Sequence, residues 1–313
     1  MSIDVEDVEF VLAENDLRAR VSPYGASLRG LWREAPSGTR QYIVTGYSGA
    51  GSKVAGEGDV LIPFPGRVKG GRYTFEGQSY QMEINDKDGG NAIHGFLRHV
   101  PWKVAERSQT SATFTVLLNS ADYPGYPFTL SVWLTYLVQS SGLTCSLVIQ
   151  NTGDRTAPVA AGFHPYFTVN SDVIDADILQ VPMAGTLEFE NLVPTGRILP
   201  VDGTALDFRR PRAIGDVRID NCFANPIRDA DSILRVHLVA PDNRNAITVW
   251  MDAAFDYVVL YTADPQPESH RRRALAIEPM TCGSDAFNHP EWGLLTLFPH
   301  QSCTASWGVD VFG

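Results

Sequence analysis

The segment TLSVWLTYLVQSSGLTCSLVIQ, residues 129–150, alternates apolar and polar side chains over most of its length. In its first half, one face carries only apolar side chains: Leu130, Val132, Leu134, Tyr136 and Val138. In its second half, the same period gathers Leu143, Cys145, Leu147 and Ile149 on one face. A period of two is typical of a β-strand with one buried face. The Ser140-Ser-Gly142 break is typical of a hairpin turn, so the segment predicts two antiparallel strands.

Similar short runs of alternating residues occur at 113–118, 246–251 and 257–262. Clusters of Gly, Pro, Asn and Asp, which favour turns, separate them. No long helical period, linker or fixed-length repeat interrupts the pattern. The sequence therefore predicts an all-β fold, a large antiparallel β-sandwich that spans residues 1–313 as a single domain.

The charge balance of the 313-residue chain excludes some classes of partner. It has 25 Lys and Arg against 36 Asp and Glu, a net charge of -11. Such a chain has no basic surface for nucleic acid and would be repelled by an anionic membrane. A neutral small molecule suits this balance best.

The cysteines and the N-terminus indicate the compartment. Cys145, Cys222, Cys282 and Cys303 are far apart and form no Cys-x-x-Cys pair, so we expect reduced, mostly buried thiols. The first nine residues, MSIDVEDVE, are acidic where a signal peptide would be basic. No apolar run reaches membrane-spanning length. We therefore expect a soluble, cytoplasmic protein without membrane contact.

The sequence lacks the motifs of several familiar chemistries. It has no phosphate-binding loop, no dinucleotide-binding glycine motif and no His-Glu-x-x-His helix. His94 and His99 are five residues apart around Gly95 and have no nearby carboxylate at the spacing of metal ligands. We therefore expect no metal site.

Three short polar stretches stand out from the apolar strands: NAIHGF at 91–96, GFHPYF at 162–167 and IEPM at 277–280. Together they contain two imidazoles and one carboxylate. Such groups can move protons on a neutral polar substrate when they are correctly placed.

Each candidate also has a purely structural interpretation. His164 could be a hydrogen-bonded core histidine among aromatic residues. Pro165, however, keeps it out of the helical region, and aromatic planes beside a few polar groups are typical of a sugar site. Glu278 could form a salt bridge at a strand edge, or it could be a buried base with a raised pKa. His94 precedes Gly95, which lets the backbone turn or approach a ligand. On the residues alone these alternatives stay open.

The three stretches, in this order, resemble the aldose 1-epimerase (galactose mutarotase) family. Further segments carry the resemblance along the chain: Pro65-Gly66-Arg67 with Tyr73 and Phe75, Asn91-x-x-His94-Gly95 with Trp102, Thr195-Gly196-Arg197-Ile198-Leu199-Pro200, Leu206-Asp207-Phe208, Ile219-Asp220-Asn221 and Leu297-Phe298-Pro299-His300-Gln301. The joint order of these segments is more specific than any one of them.

The resemblance implies a galactose mutarotase-like sandwich and an isomerase that interconverts the anomers of a free monosaccharide. Glu278 would be the general base on the anomeric hydroxyl and His164 the general acid on the ring oxygen. His94, Arg67 and Asp220 would bind the sugar. The family needs no metal and no organic cofactor, and a monomer or a homodimer would be compatible with it.

The chain departs from the family pattern at three places. Phe96 follows Gly95 where many members have a second glycine, so the pocket wall beside His94 would be bulkier. Asn221 follows Asp220 where better-known members have histidine, which leaves Asn225, Asp216 and Asp256 as alternative sugar acceptors. The segment Pro299-His300 replaces Pro-Gly, which affects a turn and not the chemistry.

Two other functions are compatible with the same fold. A hexose-6-phosphate 1-epimerase would need arginines facing the phosphate, and two clusters could supply them: Arg209, Arg210 and Arg212, or Arg271, Arg272 and Arg273. A non-catalytic carbohydrate-binding protein would be expected to lack the glutamate or the acid histidine. Because Glu278 and His164 are both present, the sequence favours an enzyme.

Overall fold

The computed structural model describes residues 8–49, 53–86 and 89–312. Within these ranges the regular structure is almost entirely β-strand and includes no α-helix, which confirms the predicted all-β class. The strands are β1 (Phe10–Glu14), β2 (Leu17–Val21), β3 (Leu28–Glu34), β4 (Arg40–Thr45), β5 (Val60–Leu61), β6 (Arg67–Val68), β7 (Arg72–Phe75), β8 (Gln78–Gln81), β9 (Ala92–Ile93), β10 (Lys103–Arg107), β11 (Ser111–Leu118), β12 (Leu130–Gln139), β13 (Gly142–Asn151), β14 (Ala157–Val159), β15 (Gly162–Phe163), β16 (Tyr166–Phe167), β17 (Ile178–Gln180), β18 (Met183–Glu190), β19 (Val193–Pro200), β20 (Arg212–Ala213), β21 (Asp220–Pro226), β22 (Leu234–Val239), β23 (Ala246–Met251), β24 (Tyr257–Tyr261), β25 (Leu275–Met280), β26 (Leu295–Leu297) and β27 (Ser302–Phe312). Short 3-10 helices lie at Lys69–Gly71, Leu97–His99, Ile174–Ala176 and Pro290–Trp292.

Most of these strands belong to two large antiparallel sheets. The larger sheet has the order β1-β2-β3-β4-β16-β25-β24-β21-β18-β19, with β15 and β5 joined to its middle. The second sheet has the order β10-β11-β12-β13-β27-β23-β22-β17-β20. Small two-stranded ribbons, separate from these sheets, are formed by β6 with β9, β7 with β8 and β14 with β26.

The predicted hairpin is formed by β12 and β13, which pair along their whole length. Leu130 lies opposite Asn151 and Gln139 lies opposite Gly142 at the turn. Buried and half-buried side chains alternate along both strands, as the sequence period predicts. The shorter predicted runs at 113–118, 246–251 and 257–262 are also confirmed, since they fall within β11, match β23 and cover β24.

The inner faces of the two sheets share one apolar cluster. Phe163 on β15 belongs to the larger sheet, and its ring centroid lies 5.5 Å from that of Trp307 on β27 in the second sheet. Such contacts between facing side chains are what a β-sandwich core requires.

The four cysteines are free thiols, and three of them are buried. No helix among the described residues is long and apolar enough to cross a membrane. Residues 1–7, on which the prediction of a missing signal peptide largely rests, lie outside the described ranges.

Candidate active site

His164 and Glu278 face each other because one strand register is continued across a break. The short strands β15 and β16 both pair with β25, with Gly162 opposite Met280 and Tyr166 opposite Ala276. Between them, His164 and Pro165 leave the strand. The same antiparallel register places His164 opposite Glu278, and Nε2 of His164 lies 3.4 Å from Oε1 of Glu278.

Glu278 is buried in the middle of the larger sheet, where it is 2% exposed. On β24, Val259 lies directly opposite, so an apolar residue covers that side of the carboxylate. Burial raises the pKa of Glu278 well above its usual value, and the negative charge of Asp220 adds to the shift. The apolar neighbours in the sequence therefore predicted the burial of this residue correctly.

His164 is held from several directions. Its backbone amide donates to the carbonyl of Asp59 at 3.0 Å, and its carbonyl accepts from the amide of Gly58 at 3.0 Å. Its imidazole stacks on the ring of Tyr166, with the centroids 5.1 Å apart and 17° between the planes. A Cβ at Gly56 would lie 2.5 Å from Cδ2 of His164, so glycine there allows the backbone to pack against the ring.

The protonation of His164 follows from its environment. Burial lowers the pKa of His164 to about 3, and the positive charges of Lys53 and Arg98 act in the same direction. Burial thus favours a neutral imidazole beside a protonated carboxyl. Because the two groups are in contact, they titrate as a pair. In the neutral pair, the one titratable proton lies on the Glu278 carboxyl and the His164 imidazole is uncharged.

The ribbon of β6 and β9 carries two further candidates, because Arg67 lies opposite Ile93, the residue before His94. The amide of His94 donates to the carbonyl of Gly66 at 2.9 Å. His94 has a φ of 62°, in the left-handed region that few non-glycine residues adopt. Its ring meets that of His164 edge to face, with the centroids 5.7 Å apart.

The imidazole of His94 is deeply enclosed. Burial lowers the pKa of His94 well below its usual value, and a positive charge on His164 would lower it further. Its Nδ1 is buried without a hydrogen-bond partner among the described residues. Buried polar atoms are rarely left unpaired, so this nitrogen is a candidate for a contact with a bound ligand.

Gly95 explains why this turn can form. It has a φ of 65°, and a Cβ there would lie 2.1 Å from the carbonyl oxygen of Ile62. The same carbonyl accepts a hydrogen bond from the amide of Phe96 at 2.8 Å. Close approach of the two backbones at Gly95 therefore fixes the loop that carries His94.

Asp86 orients Arg67 and was missed by the sequence reasoning. Nε of Arg67 donates to Oδ2 of Asp86 at 2.7 Å. Burial acts to raise the pKa of Asp86, but the bonds from Arg67 and Asn91 outweigh it and lower the pKa below the usual value. A backbone bridge joins Asp86 to Asn91 in the Asn-x-x-His stretch, and this pairing is visible only in the structure.

A buried ion cluster under the site was also missed. Asp59 is 1% exposed; its carboxylate pairs with Lys53 and, at 3.2 Å, with Nη1 of Arg98. Burial raises the pKa of Asp59, while the two cations oppose the shift. Because Asp59 also accepts the amide proton of His164, it links the loop of His164 to the segment that follows His94.

Asp220 is the first residue of β21 and lies opposite Tyr261 on β24. Although Asp220 is exposed, the protein around its carboxyl displaces water, and this desolvation raises its pKa. The positive charge of Arg67 opposes the shift. The charge of Asp220 acts on Glu278, as described above. Of the three alternatives, Asp256 is paired with Arg228 at 2.9 Å, while Asn225 and Asp216 are exposed. The charge of Asp220 thus interacts with two other candidate residues, Glu278 and Arg67.

Among the residues that the structure describes, no group of three or more His, Cys, Asp or Glu side chains is arranged to hold a metal ion. The groups that the site offers are proton donors and acceptors and one guanidinium.

The matches to a family model and to curated relatives define this antiparallel β-protein as an isomerase that epimerises sugars. The chain belongs to the aldose 1-epimerase family, whose sequence model matches residues 9–309.

Three proteins illustrate the similarity. The uncharacterised protein YihR of Escherichia coli is 30% identical over 278 residues, which cover 88% of this chain and 85% of YihR. The galactose mutarotase of Rattus norvegicus is 29% identical over 217 residues, which cover 66% of this chain and 62% of that enzyme. The crystal structure of a GalM/aldose epimerase homologue from C. elegans has the same fold, with a TM-score of 0.86 at 22% identity over 97% of this chain and 98% of that one.

Proposed function

We propose that this enzyme interconverts the α and β anomers of a free monosaccharide. The observation that carries the proposal is the contact between His164 and Glu278, with Nε2 and Oε1 3.4 Å apart. When the ring opens, O1 on the anomeric carbon must lose a proton and the ring oxygen O5 must gain one. Two adjacent proton-transfer groups are suited to that exchange.

Glu278 is the general base and His164 the general acid. The Glu278 carboxylate takes the proton of the O1 hydroxyl, the C1–O5 bond breaks, and O5 takes a proton from the His164 imidazolium. The aldehyde then rotates about the C1–C2 bond. On reclosure O5–H returns its proton to His164, Glu278 returns its proton to O1, and the opposite anomer leaves.

Burial of the pair assists ring opening in this scheme. The closed sugar faces a charged pair, a carboxylate and an imidazolium, whereas the open-chain aldehyde faces a neutral pair. Since burial raises the pKa of Glu278 and lowers that of His164, the surrounding protein favours the neutral pair. The raised pKa makes the Glu278 carboxylate a stronger base, and the lowered pKa makes the His164 imidazolium a stronger acid.

His94, Arg67 and Asp220 bind the sugar. Arg67 and His94 donate to hydroxyl or ring oxygens, and Asp220 accepts from a hydroxyl. Arg67 is supported by the bond from its Nε to Asp86, which leaves its terminal nitrogens for the ligand. The unpaired buried Nδ1 of His94 supports a role for that imidazole in binding.

The alternative of a 6-phosphate substrate has less support, because most of the arginines it would need already have partners. Arg209 pairs with Asp202 and Asp207, and Arg272 pairs with Asp175 and Asp264. Arg273 pairs with Asp172, and Arg212 and Arg271 donate to backbone carbonyls. The non-catalytic alternative is disfavoured because the acid–base pair is in contact.

Polarimetry on freshly dissolved α-sugars tests the proposal. We expect Glu278→Gln and His164→Asn each to lower the rate by about 10²–10⁴-fold with the fold retained in circular dichroism. Arg67→Ala is expected to raise KM as well as to lower the rate, because it removes a binding contact. Unchanged rates in both the Glu278 and the His164 variants would show that the assignment is wrong.

We also propose that residues 1–313 form one domain, because a single apolar cluster takes side chains from both large sheets. Two domains with separate cores would unfold in two transitions, so one cooperative transition in calorimetry is the expected result.

A further inference from the structure

A buried ion cluster joins the two segments that carry the candidate imidazoles, and the proposed mechanism does not use it. Its centre is Asp59, which is 1% exposed. Oδ1 of Asp59 accepts from Nζ of Lys53, and Oδ2 accepts from Nη1 of Arg98 at 3.2 Å. These three residues form the Asp59 cluster. A buried carboxylate is strongly destabilising unless cations compensate it, so the cluster depends on all three side chains.

The backbone of Asp59 holds the loop of His164. The carbonyl of Asp59 accepts the amide proton of His164 at 3.0 Å, and the amide of Gly58 donates to the carbonyl of His164 at 3.0 Å. The amide of Asp59 donates to the carbonyl of Gly56 at 3.0 Å. Gly56 packs against the imidazole, since a Cβ there would lie 2.5 Å from Cδ2 of His164. The segment 56–59 therefore contacts both the backbone and the ring of His164.

The side chain of Asp59 reaches the segment that follows His94. Arg98 is four residues after His94, in the short 3-10 helix Leu97–His99. Its bond to Asp59 therefore connects this helix to the loop of His164. The rings of His94 and His164 meet edge to face, with the centroids 5.7 Å apart. Both imidazoles are thus positioned around one buried carboxylate.

The Asp59 cluster carries a net positive charge. Lys53 and Arg98 contribute two positive charges and Asp59 one negative charge, so one positive charge remains. Burial is the largest cause of the lowered pKa of His164 and His94, and the positive charges of Lys53 and Arg98 act in the same direction. A cation close to an imidazole disfavours the imidazolium.

The charged and titratable groups around His164 come from five elements. They are Glu278 on β25, Tyr166 on β16, His94 after β9, Lys53 and Asp59 in the segment 53–59, and Arg98 on the 3-10 helix. Burial raises the pKa of Glu278 and Tyr166 and lowers that of His94, which favours the neutral form of all three. The Asp59 cluster therefore supplies the fixed charge beside His164.

We propose that Lys53, Asp59 and Arg98 form a positioning unit that fixes His164 against Glu278 and, by its net positive charge, prevents the pair from taking up a second proton. The proposal rests on the proposed function. The working pair holds one proton. With a second proton, Glu278 would be a neutral carboxyl beside a charged imidazolium, and no base would remain for the O1 hydroxyl. The cluster therefore extends the active range of the enzyme to lower pH.

Variants that change the charge of the cluster separate this role from a purely structural one. Lys53→Met leaves the cluster neutral, whereas Asp59→Asn leaves two positive charges and keeps the backbone carbonyl that binds His164. The double variant Lys53→Met/Asp59→Asn restores one positive charge. Lys103→Met is the control, because it makes the same change at an exposed position of β10. NMR of isotope-labelled histidines measures the titration of His164, whose signal is assigned through His164→Asn.

We expect Lys53→Met to raise the proton affinity of His164 by about threefold to tenfold, from a pKa of about 3 in the wild type. The acid limb of kcat/KM in polarimetry should move to higher pH by the same factor. Asp59→Asn should leave the proton affinity at or below the wild-type value, and the double variant should return it to within about twofold. Lys103→Met should change neither quantity.

The positioning role has its own kinetic result. Asp59→Asn should lower kcat at the pH optimum by at least about tenfold with KM within about twofold, because the cluster holds His164 and does not touch the sugar. A loss that lies in KM would overturn the positioning role. A proton affinity of His164 that rises equally in Lys53→Met and Asp59→Asn would show that the cluster only excludes water, and would overturn the proposal. No change in Lys53→Met would do the same.

Failure of the proposed function gives a different result. If the wild type anomerises no sugar, the NMR titrations still decide whether the charge of the cluster acts on His164: the expected directions retain that action and their absence rejects it. If Asp59→Asn does not fold, Arg98→Met replaces it. Arg98→Met leaves the cluster neutral, so it should raise the proton affinity of His164 as Lys53→Met does, and an unchanged or lower affinity would overturn the proposal.

Discussion

Nε2 of His164 and Oε1 of Glu278 lie 3.4 Å apart because a single register, with Gly162 opposite Met280 and Tyr166 opposite Ala276, continues across the two residues that leave the strand. The contact is therefore set by sheet geometry. A shift of β25 by one residue would turn Glu278 to the other face of the sheet.

The buried carboxyl of Glu278 should make stability depend on pH. Its pKa is raised above 4.5 in the folded protein, so above pH 4.5 the unfolded chain binds fewer protons than the folded one. Unfolding free energy should therefore fall as pH rises, and Glu278→Gln should remove this contribution. From pH 5 to pH 8, we expect the Tm of Glu278→Gln to rise relative to the Tm of the wild type.

The opposite trend would contradict a neutral pair. If the folded protein held a carboxylate and an imidazolium without ligand, the variant would lose relative stability as the pH rises through 4.5. His164→Asn is a useful comparison. The pKa of His164 is lowered to about 3, so its contribution makes stability rise between about pH 3 and the usual imidazole value near 6.5.

Asp86 should affect substrate binding through Arg67. Asp86→Ala removes the acceptor of the 2.7 Å bond from Nε of Arg67 and frees the guanidinium to rotate. We expect a loss of about tenfold in kcat/KM, or about 1.4 kcal/mol, mostly as a higher KM. In a double-mutant cycle, Asp86→Ala should have little further effect once Arg67 is alanine. Asp242→Ala, an exposed loop change, is the control and should leave both constants unchanged.

The turn at Gly95 should not accept a side chain. Gly95→Ala would place a Cβ 2.1 Å from the carbonyl oxygen of Ile62, at a φ of 65°. Gly77→Ala is a matched control, because Gly77 has a φ of 77° but no atom within 4 Å of the added Cβ. We expect about 1 kcal/mol of destabilisation at Gly77 from backbone strain, and about 2–4 kcal/mol at Gly95 from strain and overpacking. Urea midpoints at an unchanged m-value would measure both, and equal losses would contradict the close backbone approach.

Tyr166 should hold His164 through its ring and not through its hydroxyl. The two rings stack at 5.1 Å, whereas the buried hydroxyl of Tyr166 has no hydrogen-bond partner among the described residues. Tyr166→Phe should keep kcat/KM within about threefold and leave stability unchanged or higher, because it removes an unpaired polar group.

Tyr166→Ala should lower kcat by at least about tenfold, since the imidazole loses its supporting surface. The pH profile distinguishes this role from general destabilisation: a freer, more solvated His164 should shift the profile, whereas loss of folded protein would only scale it. A Phe variant as impaired as the Ala variant would instead assign the function to the hydroxyl.

Local sequence patterns predicted much of the fold. The alternation in β12 and β13 was sufficient because each strand buries one face, and the Ser-Ser-Gly break supplied the turn. The burial of Glu278 could also be predicted, since Leu275, Ala276, Ile277 and Met280 surround it on one short strand. Asp86 could not be found in this way, because its role depends on a bridge to Asn91 and a bond to Arg67 that no local period encodes.

By itself, the sequence determined the all-β class, the hairpin of β12 and β13, and which polar residues lie among apolar ones. These properties depend on periodicity and side-chain chemistry over a few residues. Only the tertiary structure decided that His164 faces Glu278, that Asp59 supports the backbone of His164 and that Asp86 bonds to Arg67. Those relationships depend on strand register and on close backbone approach, which arise when segments distant in the chain pack together.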